Sequence, residues 1–286
     1  MFIKQNTLES LQSRLQELAA GQVRVEVESS KIYDLLLQFQ TRQLQLQHAN
    51  PLNRFGRRCF SQSDEDGITL EILRRLGVEK GTFAEIGVGD GRENNTLVLA
   101  ALGWQGFWVG GEPLAYELSE NKRLKFFNGW VNLDNLGGFV ESGLTFLNKP
   151  QVDVLSLDLD GNDYYLIEQL LEKGLHAKLF IVEYNAKFLP PIEFCIDYNP
   201  QHAWAGDDYF GASLTSFVKL FKRFDYTLVC CNSHSGANAF FVHNAHIQYF
   251  SDIPTDINAL YVEPRYFLAN KFGHPVSIQT IKQVLK

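Results

Sequence analysis

The chain has 286 residues, 45% of them hydrophobic and 21% charged, with a formal net charge of −7. That composition suits a globular protein large enough for one α/β domain and an appendage. The acidic balance argues against a nucleic-acid surface, and no run of about 18 apolar residues is present that would predict a membrane span.

The start, Met1-Phe2-Ile3-Lys4-Gln5-Asn6, lacks the apolar core of a signal peptide, so the reading is a cytoplasmic protein. Cys59, Cys195, Cys230 and Cys231 show no C-x-x-C spacing and read as structural thiols rather than a zinc site or disulfide framework.

Residues 1–50 stand apart as a helical extension, followed by one domain over 51–286. Leu8, Leu11, Leu15 and Leu18 repeat at 3,4,3 spacing and make an apolar seam, which Gly21 is expected to interrupt. A second helical pattern begins near Ser29, with Ile32, Leu35, Leu36 and Phe39 on one face. Two arrangements are open: a helical hairpin packed on the domain, or a self-association segment that makes a homo-oligomer. The seam before Gly21 is under two heptads, which argues against a long coiled coil.

Asn50-Pro51 marks a turn, and Ser61-Gln62-Ser63-Asp64-Glu65-Asp66-Gly67 opens a helix through Leu76. The three acids read chiefly as caps that complement the helix dipole. From Gly81 strands and helices alternate. The predicted strands are 82–87, 106–110, 125–132, 152–159, 179–184, 226–231 and 239–243, with helices over 95–102, 115–122, 164–173 and 213–224. This rhythm predicts a mostly parallel seven-stranded sheet with helices on both faces and one antiparallel edge strand. The tail, 244–286, is expected to pack over the sheet edge. Trp104, Trp108 and Trp130 read as core aromatics, and His234 as a solvated loop residue.

The first strand runs into Glu85-Ile86-Gly87-Val88-Gly89-Asp90-Gly91. Glycines there permit a left-handed bend and let a ligand touch the main chain. A dinucleotide site needs G-x-G-x-x-G, and its third glycine position is Arg92. Glu85 and Asp90 would also repel phosphate. The E-x-G-x-G-x-G pattern fits a cationic, phosphate-free nucleoside better, and it resembles motif I of the class I S-adenosylmethionine (SAM) methyltransferases. Glu112, after the second strand, can accept both ribose hydroxyls. Asp134, after the third, is a weaker candidate for the adenine side.

Asp158-Leu159-Asp160-Gly161-Asn162-Asp163 ends one strand and Glu183-Tyr184-Asn185 ends its neighbour. Carboxylates crowded there need a cation among them. Asp158, Asp160, Glu183 and Asn185 form an oxygen-donor set for Mg²⁺ or Mn²⁺, or a cradle for a substrate hydroxyl and the sulfonium. His202, in a polar and aromatic segment, is a candidate base.

With Ser61-Gln62, Asn94-Asn95-Thr96 and Gly103-Trp104-Gln105-Gly106 added, residues 61–243 resemble the FkbM-type branch of SAM methyltransferases. That resemblance implies a Rossmann-like SAM-methyltransferase fold and O-methylation of a sugar, nucleotide-sugar or glycan hydroxyl. From the residues themselves, SAM binding is read at Glu85, Gly87, Gly89, Asp90, Gly91, Asn95, Glu112 and Asp158, and the catalytic candidates are Asp158, Asp160, Glu183 and His202. Many relatives carry Glu where Asp160 stands. The alternative is a non-catalytic scaffold of the same fold that assembles through residues 1–50.

Overall fold

A computed structural model describes residues 2–118 and 121–265 and, from the tail, 278, 281, 282 and 285. Seven strands form one sheet: β1 (Thr82–Ile86), β2 (Gln105–Gly110), β3 (Leu124–Asn128), β4 (Val154–Leu157), β5 (Leu179–Glu183), β6 (Tyr226–Cys231) and β7 (Asn238–His243). Their order is β3-β2-β1-β4-β5-β7-β6. All pairs through β5 are parallel, while β7 runs antiparallel to both β5 and β6; the reversed strand expected at the edge is therefore internal, since β7 inserts between β5 and β6 and leaves β6 at the edge. The fold is thus a doubly wound, Rossmann-like α/β sheet.

Helices fill the connections: α1 (Phe2–Gln47), α2 (Glu65–Arg75), α3 (Leu97–Ala101), α4 (Leu136–Leu147), α5 (Asp163–Glu172), α6 (Leu214–Lys222) and α7 (Ile257–Leu260). Because β1→β2 and β3→β4 travel in opposite directions across the sheet, right-handed crossovers put α3 on one face and α4 and α5 on the other. Strands covered on both faces are apolar throughout, as in Phe83-Ala84 of β1 and Leu179-Phe180-Ile181-Val182 of β5, all with no exposed surface.

Three further expectations change. Gly21 does not break the N-terminal helix; α1 runs unbroken from Phe2 to Gln47. A helical glycine costs only about 1 kcal/mol against alanine, so the hairpin arrangement does not form. Residues 115–118 and 121–122, read as part of a helix, are non-helical. The Ala115 amide donates to the Asp90 carbonyl at 2.9 Å and the Tyr116 hydroxyl to the Gly91 carbonyl at 2.7 Å, so this segment walls the glycine turn instead. Finally, α4 was not anticipated, since Gly137, Gly138 and Gly143 weaken its helical pattern. Gly143 is there for contact: a Cβ on it would lie 2.4 Å from the Phe107 ring of β2.

The four cysteines are free thiols, and Cys230 and Cys231 are both buried. Of the tail, a 3-10 turn at Asn244–Phe250 and α7 follow β7, and the Val262 carbonyl accepts the Tyr184 hydroxyl at the end of β5. Residues 266–277 lie outside the described residues. No described helix is long and apolar enough to cross a membrane.

Candidate functional site

Strand order reverses between β1 and β4, and open α/β sheets bind ligands in the crevice beyond the strand ends at such a switch point. The Gly87–Gly91 turn lies on one side of this crevice and Asp158 on the other. Gly87 has φ +97°, and a Cβ on it would sit 1.6 Å from the Asp158 carbonyl oxygen. Only glycine permits that approach, which is supported by the Asp158 amide donating to Ile86 O at 3.0 Å. Gly89 has φ +49° and open space around its missing side chain. Gly91, at φ +81°, packs against Leu114 and Tyr116. The turn is therefore anchored at both ends and open at its centre.

Glu85 has a different place from the one read in sequence. It is buried in β1, and its carboxylate accepts the amides of Asn95 (2.8 Å) and Thr96 (2.9 Å) and the Thr96 hydroxyl. Thr96 Oγ1 in turn accepts the Trp108 indole N–H at 2.9 Å. Burial pushes the Glu85 carboxyl up to about 7, against the pull of those hydrogen bonds. Glu85 thus holds the return of the chain into α3. Asn95 reaches across to Ser156 Oγ of β4 at 3.1 Å, tying the same segment to the next strand.

Asp90 is paired with Arg92, whose side chain approaches to 2.6 Å and whose amide donates at 3.1 Å. The phosphate repulsion expected of Glu85 and Asp90 is accordingly weak, one being buried and bonded to Asn95 and Thr96 and the other ion-paired. The strong acidity lies opposite, on β4 and β5.

There Asp158, Asp160 and Glu183 present ligand atoms all within 4.8 Å of one another. Asp160 has φ +52°, a left-handed conformation that a short polar residue tolerates, and its side chain is exposed. Burial, then neighbouring carboxylates, hold the Asp158 and Glu183 carboxyls well above the usual range. Glu183 Oε2 is buried with no hydrogen-bond partner among the described residues. Three crowded hard oxygens, one of them orphaned, are a fitting donor set for Mg²⁺ or Mn²⁺.

Asp163 shapes this cluster without joining it. Its two oxygens accept the amides of Leu159 and Gly161, each at 2.8 Å. Asn185 is likewise a tether: its amide nitrogen donates to the carbonyls of Asp208 (2.9 Å) and Phe210 (3.1 Å), and Oδ1 accepts the Lys187 amide at 3.2 Å.

Asn162 clamps the loop carrying His202, donating to Asn199 O at 2.7 Å and accepting the Asn199 amide at 3.2 Å. His202 then lies against Gly161, where a Cβ would meet the ring at 2.5 Å. Its Nε2 is buried without a hydrogen-bond partner among the described residues. The fold brings His202 to the acidic strand ends from some forty residues away in sequence.

Glu112 stands exposed at the end of β2, its carbonyl accepting Asn128 Nδ2 at 2.9 Å. Beside it is Trp130, which is not a core residue: it is 55% exposed, lies over Gly111 and donates its indole N–H to Pro200 O at 2.9 Å. Its position two residues past β3, after Gly129, was the available signal. Asp134 is an exposed turn residue whose amide donates to Asn132 Oδ1. Trp104 and Trp108 are buried as expected.

The acids of α2 do more than cap it. Asp66 Oδ2 accepts the amides of Cys59, Phe60 and Ser61 at 2.6, 2.6 and 2.9 Å. Glu65 Oε1 accepts Ser63 Oγ, Asn232 Nδ2 and Asn238 Nδ2, and Asp64 accepts from Ser233, His234 and Gln45. His234 is buried rather than solvated, with Nδ1 2.8 Å from Thr41 Oγ1 of α1.

No protein-family profile matches the chain, and no curated protein does. Among solved structures it is similar to a glycopeptide N-methyltransferase, MtfA, complexed with S-adenosylhomocysteine, at 15% identity over 66% of this chain and 93% of that one, with a TM-score of 0.39. An O-methyltransferase family 2 protein from Planctomyces limnophilus, complexed with apigenin, matches at 15% identity over 72% and 61%, TM-score 0.34. Coclaurine N-methyltransferase matches at 13% over 71% and 65%, TM-score 0.29. These are distant likenesses of fold.

Proposed function

We propose that the chain is a SAM-dependent methyltransferase of the FkbM-like branch, transferring methyl to a hydroxyl of a sugar, nucleotide-sugar or glycan. The observation that carries the reading is the turn at Gly87–Gly91, open at Gly89 and set against Asp158 at the switch point. Glu112 and Trp130 flank the same crevice at the ends of β2 and β3, positioned for a ribose and an aromatic base. When bound, SAM supplies a methyl group on a sulfonium with a good leaving group, so the protein's tasks are alignment and removal of the acceptor proton.

The buried, unpartnered His202 Nε2 is the base in this reading, since it can take the hydroxyl proton without first giving up another bond. Asp158, Asp160 and Glu183 would hold Mg²⁺ or Mn²⁺, whose chemistry there would be to lower the pKa of the acceptor hydroxyl.

Calorimetry with S-adenosylhomocysteine tests the donor site. Binding in the micromolar range is expected for the wild type, with at least a tenfold loss in Gly89→Val, where a branched side chain occupies the open space and a left-handed φ that it resists. Folded wild-type protein that binds nothing at millimolar ligand removes the proposal.

A further inference from the structure

Helix α1 is about 69 Å long at 1.5 Å per residue, and only its last third touches the body. Among its residues with described side chains, those before Ser30 are all exposed. That free part includes Gly21 and the β-branched Val23, Val25 and Val27, which are poor helix formers. Helices in proteins draw most of their stability from packing an apolar face. A face must therefore be covered by something other than the body.

The sequence identifies that face once the helix is known to continue through Gly21. Counting heptads from Leu8 as position a, the d positions are Leu11, Leu18, Val25, Ile32, Phe39 and Leu46, all apolar. The a positions are Leu8, Leu15, Gln22, Ser29, Leu36 and Gln43. An apolar residue at every d position, with apolar a residues at half of the layers, follows the 3.5-residue period of a coiled coil rather than the wider stripe of a helix lying on a globular surface. From Leu11 to Leu46 the seam is bare, with Leu18 70% and Phe39 68% exposed.

The body docks on the other side. Leu37, Thr41 and Gln45, the buried residues of α1, fall at b, f and c. Thr41 bonds His234, and Gln45 donates to Asp64 and to Gly56 O. Even beside the body, Leu36, Phe39 and Leu46 of the seam point away from it and remain exposed. Both faces of the helix thus have work, and the seam is free from Leu11 to Leu46.

We propose that a second copy of this chain covers the seam, forming a parallel, in-register two-stranded coiled coil. The area suffices: a stripe about 10 Å wide along about 60 Å gives roughly 600 Å² per chain, or about 1,200 Å² in all, the lower end of a standard stable interface. Parallel pairing matches Gln22 with Gln22, Ser29 with Ser29 and Gln43 with Gln43, so each polar a layer meets its own kind and specifies register. A full-length antiparallel pairing sets the same three residues against Ile32, Val25 and Leu11, leaving polar groups buried without partners. In the parallel form the two bodies lie at one end, on opposite outer sides of the pair. The inference is independent of what the site transfers.

Light scattering on the full chain is expected to give twice the 32.6 kDa chain mass. The d-position variant Ile32→Glu is expected to give the single-chain mass with the body still folded by near-UV circular dichroism, whereas Val23→Glu, at an outer b position, keeps the doubled mass. Orientation is read from Gln22→Cys: mild oxidation should link two chains through position 22, identified by peptide mapping. A wild-type monomer, any order other than two, or a doubled mass retained in Ile32→Glu overturns the coiled coil; a dimer that does not cross-link at position 22 overturns the parallel pairing.

Discussion

The carboxyl group of Glu85 sits in the middle of β1 with no water to solvate it, and its pKa near 7 follows from that burial. The sign of the consequence is set by linkage. An acid whose folded pKa lies above its unfolded value of 4.5 stabilises the fold fully below about 4.5, and this contribution is lost as pH rises through about 7. The displacement corresponds to about 3 kcal/mol. In Glu85→Gln the group can no longer ionise, so between pH 5 and pH 8 the variant's stability should gain on the wild type by up to about 3 kcal/mol, read by urea unfolding. A difference that does not change with pH contradicts the buried, titrating Glu85. In sequence this residue looked like a ligand contact because it stands in the glycine motif. Its role became visible only when Asn95 and Thr96, ten and eleven residues on, were seen to fold back onto it.

Among the elements, the first turn of α2 shows how little of an acidic run's role a propensity argument recovers. Asp64, Glu65 and Asp66 satisfy the rule for acids at a helix N-terminus, yet their hydrogen bonds go to the 59–61 segment, the 232–238 loop and α1. Asp66→Ala leaves three amides without their acceptor and should cost about 3 kcal/mol. Hydrogen exchange should rise first at residues 59–61, so unchanged protection there would contradict the assignment. The Phe60 carbonyl accepts the Asn94 amide at 3.1 Å, so the same change loosens the approach to the glycine turn. For α1, local sequence reading failed at Gly21 because a single residue's propensity was weighed against too short a seam. For α4, it failed because Gly143 is fitted to Phe107, a contact remote in sequence.

At the scale of the molecule, the sheet gathers acids from β4 and β5 that lie more than twenty residues apart and sets them against the glycine turn of β1. Like charges held so close must bind protons or a cation. Mn²⁺ should therefore raise the melting temperature: an ion at 100 times its Kd adds about 2.7 kcal/mol, roughly 5–10 °C for a chain of this size. The shift should shrink at pH 5, where protons compete for Asp158 and Glu183, and should vanish in Asp160→Asn. Equal shifts at both pH values, or an undiminished shift in Asp160→Asn, would show that the ion binds elsewhere.

The strand rhythm from Thr82 to His243, the reversal of the last strand, the glycine turn and the two acidic strand ends were all legible in the chain itself, whereas the insertion of that last strand between β5 and β6 was not. Each is written in short-range pattern: apolar runs of strand length, glycines where the backbone must turn, acids just past a strand. Contacts between distant segments were decided by the tertiary structure alone. It turned Glu85 inward to hold α3, paired Asp90 with Arg92, tethered Asn185 to the 208–210 loop, brought His202 onto Gly161 and put Trp130 at the crevice instead of in the core. It also showed α1 to be continuous, which let its seam be read to the end. The physical reason is the same in each case: a side chain's environment depends on which distant segments meet it, and local periodicity carries no record of that meeting.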